Sequence, residues 1–305
     1  MDAHLVVGEA LIDIVHSVDG SVHEHVGGSP LNVAIGLSRL GHQVALATHI
    51  ADDPHGQGIR DLLAADGVEL TDGSANAVRT PTAAAYLDES GAASYEFDLA
   101  WDPFTPFPAT TGHVHTGSIA TALQPGASGV LDTLIAHRSL GTTSLDPNPR
   151  PSVIGAAADV RSATEEMIGL SDVVKASDED IAWLYDGAAE LGEVLRLWAQ
   201  LGPSLVVATR GGDGALAYLS ATDELVDVPG CTVDMVDTVG AGDSFMSGMI
   251  SQLLDDGLLG DVTARERLRA ADRQTLLAAV HRGIATSAVT VSRAGSQPPH
   301  RSDLI

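Results

Sequence analysis

The chain predicts an α/β fold in which a mostly parallel sheet carries helices on its faces. Short apolar or β-branched runs alternate along it with longer runs of helical character. Its 305 residues are 44% hydrophobic, ample for a buried core. With no internal repeat or low-complexity linker, a single domain over residues 1–305 is expected.

In chain order, residues 4–8 read as a first strand, 31–40 as a helix, 44–50 as a strand and 56–66 as a helix. Residues 113–116, 142–145 and 172–175 read as further strands, with a helix over 126–137. Helices are expected over 154–168 and 178–198, a buried strand over 205–209, and an antiparallel pair from 214–219 and 224–228. The chain closes with helices over 245–254 and 265–288. Residues 11–26 and 82–97 break the rhythm, and Tyr86, Leu87, Tyr95 and Phe97 suggest antiparallel strands flanking a cleft. Three prolines in 102–108 read as the return to the core.

A formal net charge of −25 opposes binding to nucleic acid or an anionic membrane, since both reward clustered Lys and Arg. No apolar stretch reaches the length of a membrane span. The N-terminal run is interrupted by Glu9 and Asp13 and lacks a basic start, so it reads as a strand rather than a signal peptide. One cysteine, Cys231, forms no internal disulfide, and a cytoplasmic setting is expected.

Residues 236–245 carry the chemistry. Gly240-Ala241-Gly242-Asp243 stands at the mouth of an apolar helical run, where outward amides and the helix dipole favour an anion and glycines admit a phosphate close to the backbone. A carboxylate in that cradle repels phosphate at rest, so Asp243 makes more sense as a base taking a proton when a phosphoryl group arrives. The combination suggests phosphoryl transfer to a hydroxyl. Neither the P-loop nor the dinucleotide fingerprint fits: Lys175 is the only lysine, and Gly242 is followed by Asp243, Ser244 and Phe245. The structural alternative is a capped helix start in which Asp243 complements the dipole.

Together with Gly8-Glu9-Ala10-Leu11-Ile12-Asp13 and the stretch from Gly27-Gly28 through Asn32 to Gly41, this segment resembles the two signatures of the PfkB (ribokinase-like) carbohydrate kinases, most of all the fructokinase branch. Shorter echoes are Ser144 to Arg150, Val174 to Glu179, Ala208 to Ala215 and Val291 to Gly295. The resemblance implies a three-layer α/β/α sandwich with a small β-sheet lid, formed here by 11–26 and 82–101, that often carries a dimer contact.

It further implies ATP and Mg²⁺ as cofactors and a neutral sugar as acceptor, with Asp243 as catalytic base and the amides of Gly240, Ala241, Gly242 and Asp243 as anion hole. Asp13, Gly27, Gly28 and Asn32 match sugar-binding positions; a solvated strand-end carboxylate, a turn and an N-cap are the structural alternatives. Arg150 is expected at the substrate or the transferring phosphate. Ser177 and Asp180 stand where relatives carry Asn-x-x-Glu, and Thr209, Gly211 and Gly214 where the nucleotide cleft runs. Asp237, with carbonyls such as those of Val239, Thr290, Arg293 and Gly295, matches a monovalent-cation (K⁺) site, for which a structural cap is the alternative.

Fructose is the leading substrate; 2-keto-3-deoxygluconate, ribose and nucleosides follow. Phe97-Asp98-Leu99-Ala100 lacks the arginine that fructokinase relatives commonly place there. A reading of another class, a silent sugar-binding regulator, sits poorly with an intact Gly-Ala-Gly-Asp. His23-x-His25 and His113-x-His115 each put two imidazoles on one strand face, but no carboxylate or cysteine completes a zinc site. Ser244 lacks the Gly-x-Ser-x-Gly setting of a hydrolase nucleophile.

Overall fold

The computed structural model describes residues 4–87, 93–103, 107–110 and 112–304. The first half contributes β1 (His4–Val7), β2 (Leu11–His16), β3 (Val22–Gly27), α1 (Ser29–Arg39), β4 (Val44–Ala47), α2 (Pro54–Ala65), β5 (Glu69–Leu70), β6 (Thr82–Leu87), β7 (Ala93–Asp98) and β8 (His113–Gly117). There follow α3 (Gly126–His137), β9 (Thr142–Asp146), α4 (Pro151–Ile154), α5 (Ala157–Gly169), β10 (Val173–Ser177), α6 (Asp178–Leu184) and α7 (Leu191–Leu201). The last third adds β11 (Leu205–Thr209), β12 (Ala215–Leu219), β13 (Glu224–Val228), α8 (Ala241–Asp255), α9 (Val262–Arg269) and α10 (Arg273–Val291).

Nine strands form the central sheet in the order β13-β12-β11-β10-β9-β8-β1-β4-β5. The pairs from β5 to β11 are parallel, and β12 and β13 close one edge antiparallel. Alternate side chains feed two cores. Val6, Leu46, Leu205 and Val207 pack with α1, α2, α8 and α10; Leu5, Val7, Leu145, Val174 and Val206 pack with α3, α5, α6 and α7. This is the expected three-layer sandwich. Its parallel strands end on one edge, where ligands gather in such sheets.

A second sheet, β3-β2-β6-β7, stands over that edge. Its middle pair, β2 with β6, runs parallel, where an antiparallel arrangement was expected throughout. The strand β7 ends at Asp98, and Trp101, assigned to the lid from sequence, is instead a core residue: it is buried, stacks on Phe107 and donates its indole N–H to the Ala120 carbonyl. The reading of Tyr95, and of residues 104–106 in the proline-rich return, falls outside the described side chains and residues.

Three expected helices are shorter or divided. The helix expected from 154 starts only at Ala157, because Gly155 takes φ 86°. Asp186 and Gly187 adopt left-handed φ values of 54° and 65° and separate α6 from α7. The helix expected over 265–288 is two, because Asp272 caps a new start through a bond from the Thr275 amide.

Candidate active site

Two helix N-termini meet at the site. Both are brought close because Gly36 of α1 admits the Ser247 side chain of α8 where any Cβ would stand. Asp243, in the first turn of α8, is buried at 8% exposure. Its Oδ1 accepts from the Ser29 hydroxyl at 2.6 Å and its Oδ2 from the Asn32 amide at 2.8 Å. Both donors lie in the first turn of α1, so the carboxylate is held across the molecule rather than by its own helix.

Gly240 caps α8 in the left-handed region at φ 74°, and a Cβ there would strike the Ser296 hydroxyl. Of the loop amides, that of Ala241 already donates to the Thr238 carbonyl at 3.2 Å, so it is not free as expected. The amides of Gly242 and Asp243 have no protein acceptor among the described residues and form the open part of the cradle.

Beneath Gly242 lies a pair to which the sequence reading gave no role. Lys175 Nζ bonds Asp146 Oδ2 at 2.8 Å, both side chains buried, and the ammonium lies 2.8 Å from where a Cβ on Gly242 would fall. Burial opposes the Lys175 charge, but Asp146, Asp243 and Asp180 outweigh it and hold its pKa above the ordinary value. Burial lifts Asp146 to about 6 against the pull of Lys175. The available signal was that Lys175 is the sole lysine and stands within an apolar strand, β10.

The expected sugar side assembles on β2, β3 and the start of α1. Asp13 on β2 pairs in register with His25 on β3, and its Oδ2 occupies the place a Cβ on Gly27 would need. The protein walls around Asp13 push its carboxyl above the usual value, while His25 and Arg150 pull the other way. Gly28, at φ 118°, has the Glu9 carbonyl 2.5 Å from its Cβ position. Arg150 is exposed at the start of α4 and bonds Asn148 Oδ1 at 2.6 Å. Ser29 and Glu9 were not singled out, because both act through contacts set by the tertiary fold.

On the expected nucleotide side, Ser177 and Asp180 form a complete capping box on α6: the Ser177 hydroxyl accepts from the Asp180 amide, and Asp180 Oδ2 from the Ser177 amide. Thr209 ends β11, and Gly214, at φ 89°, makes the turn into β12 where a Cβ would meet the Val228 carbonyl. Gly211 opens the turn at φ 53°.

Asp237 accepts from the amides of Val239 at 3.0 Å and Gly295 at 2.8 Å, which lower its pKa and tie the two loops together. The Thr290 hydroxyl turns inward to Ser244 at 2.7 Å, and the Arg293 side chain is committed to Asp303. Asp237 thus has the bonds of a structural cap, while the expected cation set uses main-chain carbonyls, on which these side-chain contacts do not bear.

The pair His113 and His115 is committed within the central sheet. His113 bonds Thr142 and Ser144 and His115 bonds Ser144, all in the neighbouring strand. Among the described residues no cluster of three or more His, Cys, Asp or Glu could hold a metal ion. Burial lowers both imidazoles, His115 to about 3.

A family model for pfkB family carbohydrate kinases matches residues 1–303. A fructokinase of Klebsiella pneumoniae is 31% identical over 268 residues, covering 85% of this chain and 87% of that protein. One of Rhizobium leguminosarum bv. trifolii is 33% identical, with 89% and 85% covered. Among solved structures, a double mutant of the Vibrio cholerae O395 fructokinase bound to fructose, ADP and potassium superposes with a TM-score of 0.82 at 26% identity over 99% of this chain and 97% of that one. An aminoimidazole riboside kinase of Salmonella enterica, at 22% identity and a TM-score of 0.80, shares the fold. A buried carboxylate beside an open helix start, on a sandwich shared throughout with these proteins, leads to one assignment: the chain belongs to the pfkB family of carbohydrate kinases.

Proposed function

We propose that the protein transfers the γ-phosphoryl group of ATP to an exocyclic hydroxymethyl of a neutral sugar, with fructose as substrate and Asp243 as general base. The observation that carries this reading is the setting of Asp243: both oxygens are oriented by Ser29 and Asn32, beside the free amides of Gly242 and Asp243. As the sugar oxygen attacks phosphorus, its proton passes to Asp243, the P–O bond to ADP breaks, and the proton leaves to water. The two amides, the helix dipole and Lys175 stabilise charge on the group in transfer. Arg150 meets the substrate from the other wall of the cleft.

Mg²⁺ bound with the nucleotide would neutralise phosphate charge. Asp146, with its buried Oδ1 free of any protein partner, fits such a role. A monovalent cation beside Asp237 belongs to the same reading. The second sheet would serve as a lid excluding water. The arginine missing after β7 has a counterpart in Arg79, whose guanidinium pairs with Asp98 at 2.7 Å.

The test is ADP release over fructose, ribose, 2-keto-3-deoxygluconate and nucleosides, each with its phosphate ester where one exists. Fructose should give the highest kcat/KM. Preference for a phosphate ester or a nucleoside overturns the assignment.

A further inference from the structure

Among the described residues, five buried side-chain atoms lack a hydrogen-bond partner: Glu9 Oε2, Thr48 Oγ1, Asp146 Oδ1, Arg210 Nε and Ser296 Oγ. Three belong to residues at the carboxyl ends of β1, β4 and β9, and Ser296 packs against Gly240. Such atoms each cost about 1–3 kcal/mol, so their gathering at one edge marks groups kept for use rather than for stability. Glu9 is the only one of these groups that the chemistry above leaves idle and that can change charge.

Its surroundings are specific. Glu9 is 5% exposed, and its carbonyl lies under Gly28 on the expected sugar side. Its carboxyl accepts from the hydroxyl of Ser118, a non-glycine residue held at φ 56° just past β8. Two charged side chains face it, Arg150 from the β9–α4 connection and Asp243 from α8; the nearby side chains at the start of α1, Ser29 and Asn32, are neutral. Arg150 makes no salt bridge among the described residues, although Glu9, Asp13 and Asp243 share its end of the cleft.

We propose that Glu9 is a positioning residue whose protonation state governs Arg150: as a neutral acid it leaves the guanidinium free for substrate, and as a carboxylate it competes for it. The ionised form also sets a second negative charge beside Asp243, which repels the incoming phosphoryl group. Burial pushes the Glu9 carboxyl up to about 7, against the Ser118 bond and the Arg150 charge, so the change of state falls in the working range of the enzyme. The inference rests on the kinase reading above.

The experiment is the pH dependence of kcat/KM for fructose in wild type and Glu9→Gln, a neutral isostere. The ratio of the two cancels titration of the nucleotide. Wild type should lose at least about tenfold between pH 6.5 and 8.5, and the variant should stay within about twofold. Ser118→Ala removes the bond that favours the carboxylate and should move the wild-type fall to higher pH. Parallel profiles in wild type and Glu9→Gln, with matching thermal melts, overturn the proposal. If wild type turns over no neutral sugar, the kinase reading itself fails. Calorimetric binding of MgATP over the same pH range then decides Glu9 alone: a fall in wild type only supports it, and an equal fall in both proteins rejects it.

Discussion

The helices α6 and α8 each carry an aspartate at the third position of the first turn, and they use it in opposite ways. In α6, Asp180 folds back on Ser177 and the pair satisfies its own helix start. In α8, Asp243 turns away to Ser29 and Asn32 of another helix, and the amides of Gly242 and Asp243 stay open. The first arrangement spends the carboxylate on local stability. The second forgoes the cap and leaves a buried carboxylate beside an open helix start, as the proposed base and anion cradle require. A helix start is therefore read by where its acidic side chain goes, not by whether it has one.

The sharpest way to break this comparison is to neutralise both aspartates. Asp243→Asn should lower kcat by roughly two to four orders of magnitude with sugar binding retained in calorimetry, the usual weight of a positioned base. Asp180→Asn should leave kcat within a few-fold. Similar losses in the two variants would refute the distinction.

Next in size is Gly242→Ala. A Cβ there falls 2.8 Å from Lys175 Nζ, which is itself held by buried Asp146, so the cradle has to shift. A shift of that kind should cost about 10- to 100-fold in kcat, read in single-turnover experiments, with a smaller change in KM for the sugar. Unchanged turnover would mean that the lysine moves aside freely.

A third test contrasts the cleft with the polar cluster buried under it. His113 and His115 are neutral when folded, because burial lowers both, His115 to about 3. Below about pH 6.5 the unfolded chain binds protons that the native state refuses, so stability is full above that pH and falls as pH drops. Chemical denaturation at pH 5 against pH 7 should show a loss of about 2 kcal/mol per histidine. Glutamine at both positions should flatten the curve. The smallest effect is Ser177→Ala, which should lower stability by about 1 kcal/mol, seen as a shift in denaturation midpoint, and leave catalysis nearly intact.

How much of this was legible depended on the range of the interaction. Local periodicity placed α3, β11, β12 and β13 almost to the residue. The helix start at Gly-Ala-Gly-Asp was legible too, because it carries its geometry in consecutive residues. The division between α6 and α7 was not, because apolar spacing continues across a turn that depends on two left-handed residues. Lys175 with Asp146, Ser29 with Asp243 and Glu9 with Ser118 were invisible for a different reason. Each joins residues that only the strand order brings together. The partners of His113 and His115, Thr142 and Ser144, lie one strand away and were invisible for the same reason.

The donors to Asp243 lie 211 and 214 positions before it. They belong to α1, which follows β3 of the second sheet and packs on α8 in one core. With Asp243 as the proposed base, a chain emerging from the ribosome completes its site only when its last third has docked on its first. Phosphoryl transfer would then report on complete assembly, and a truncated or half-folded copy would stay silent instead of wasting nucleotide.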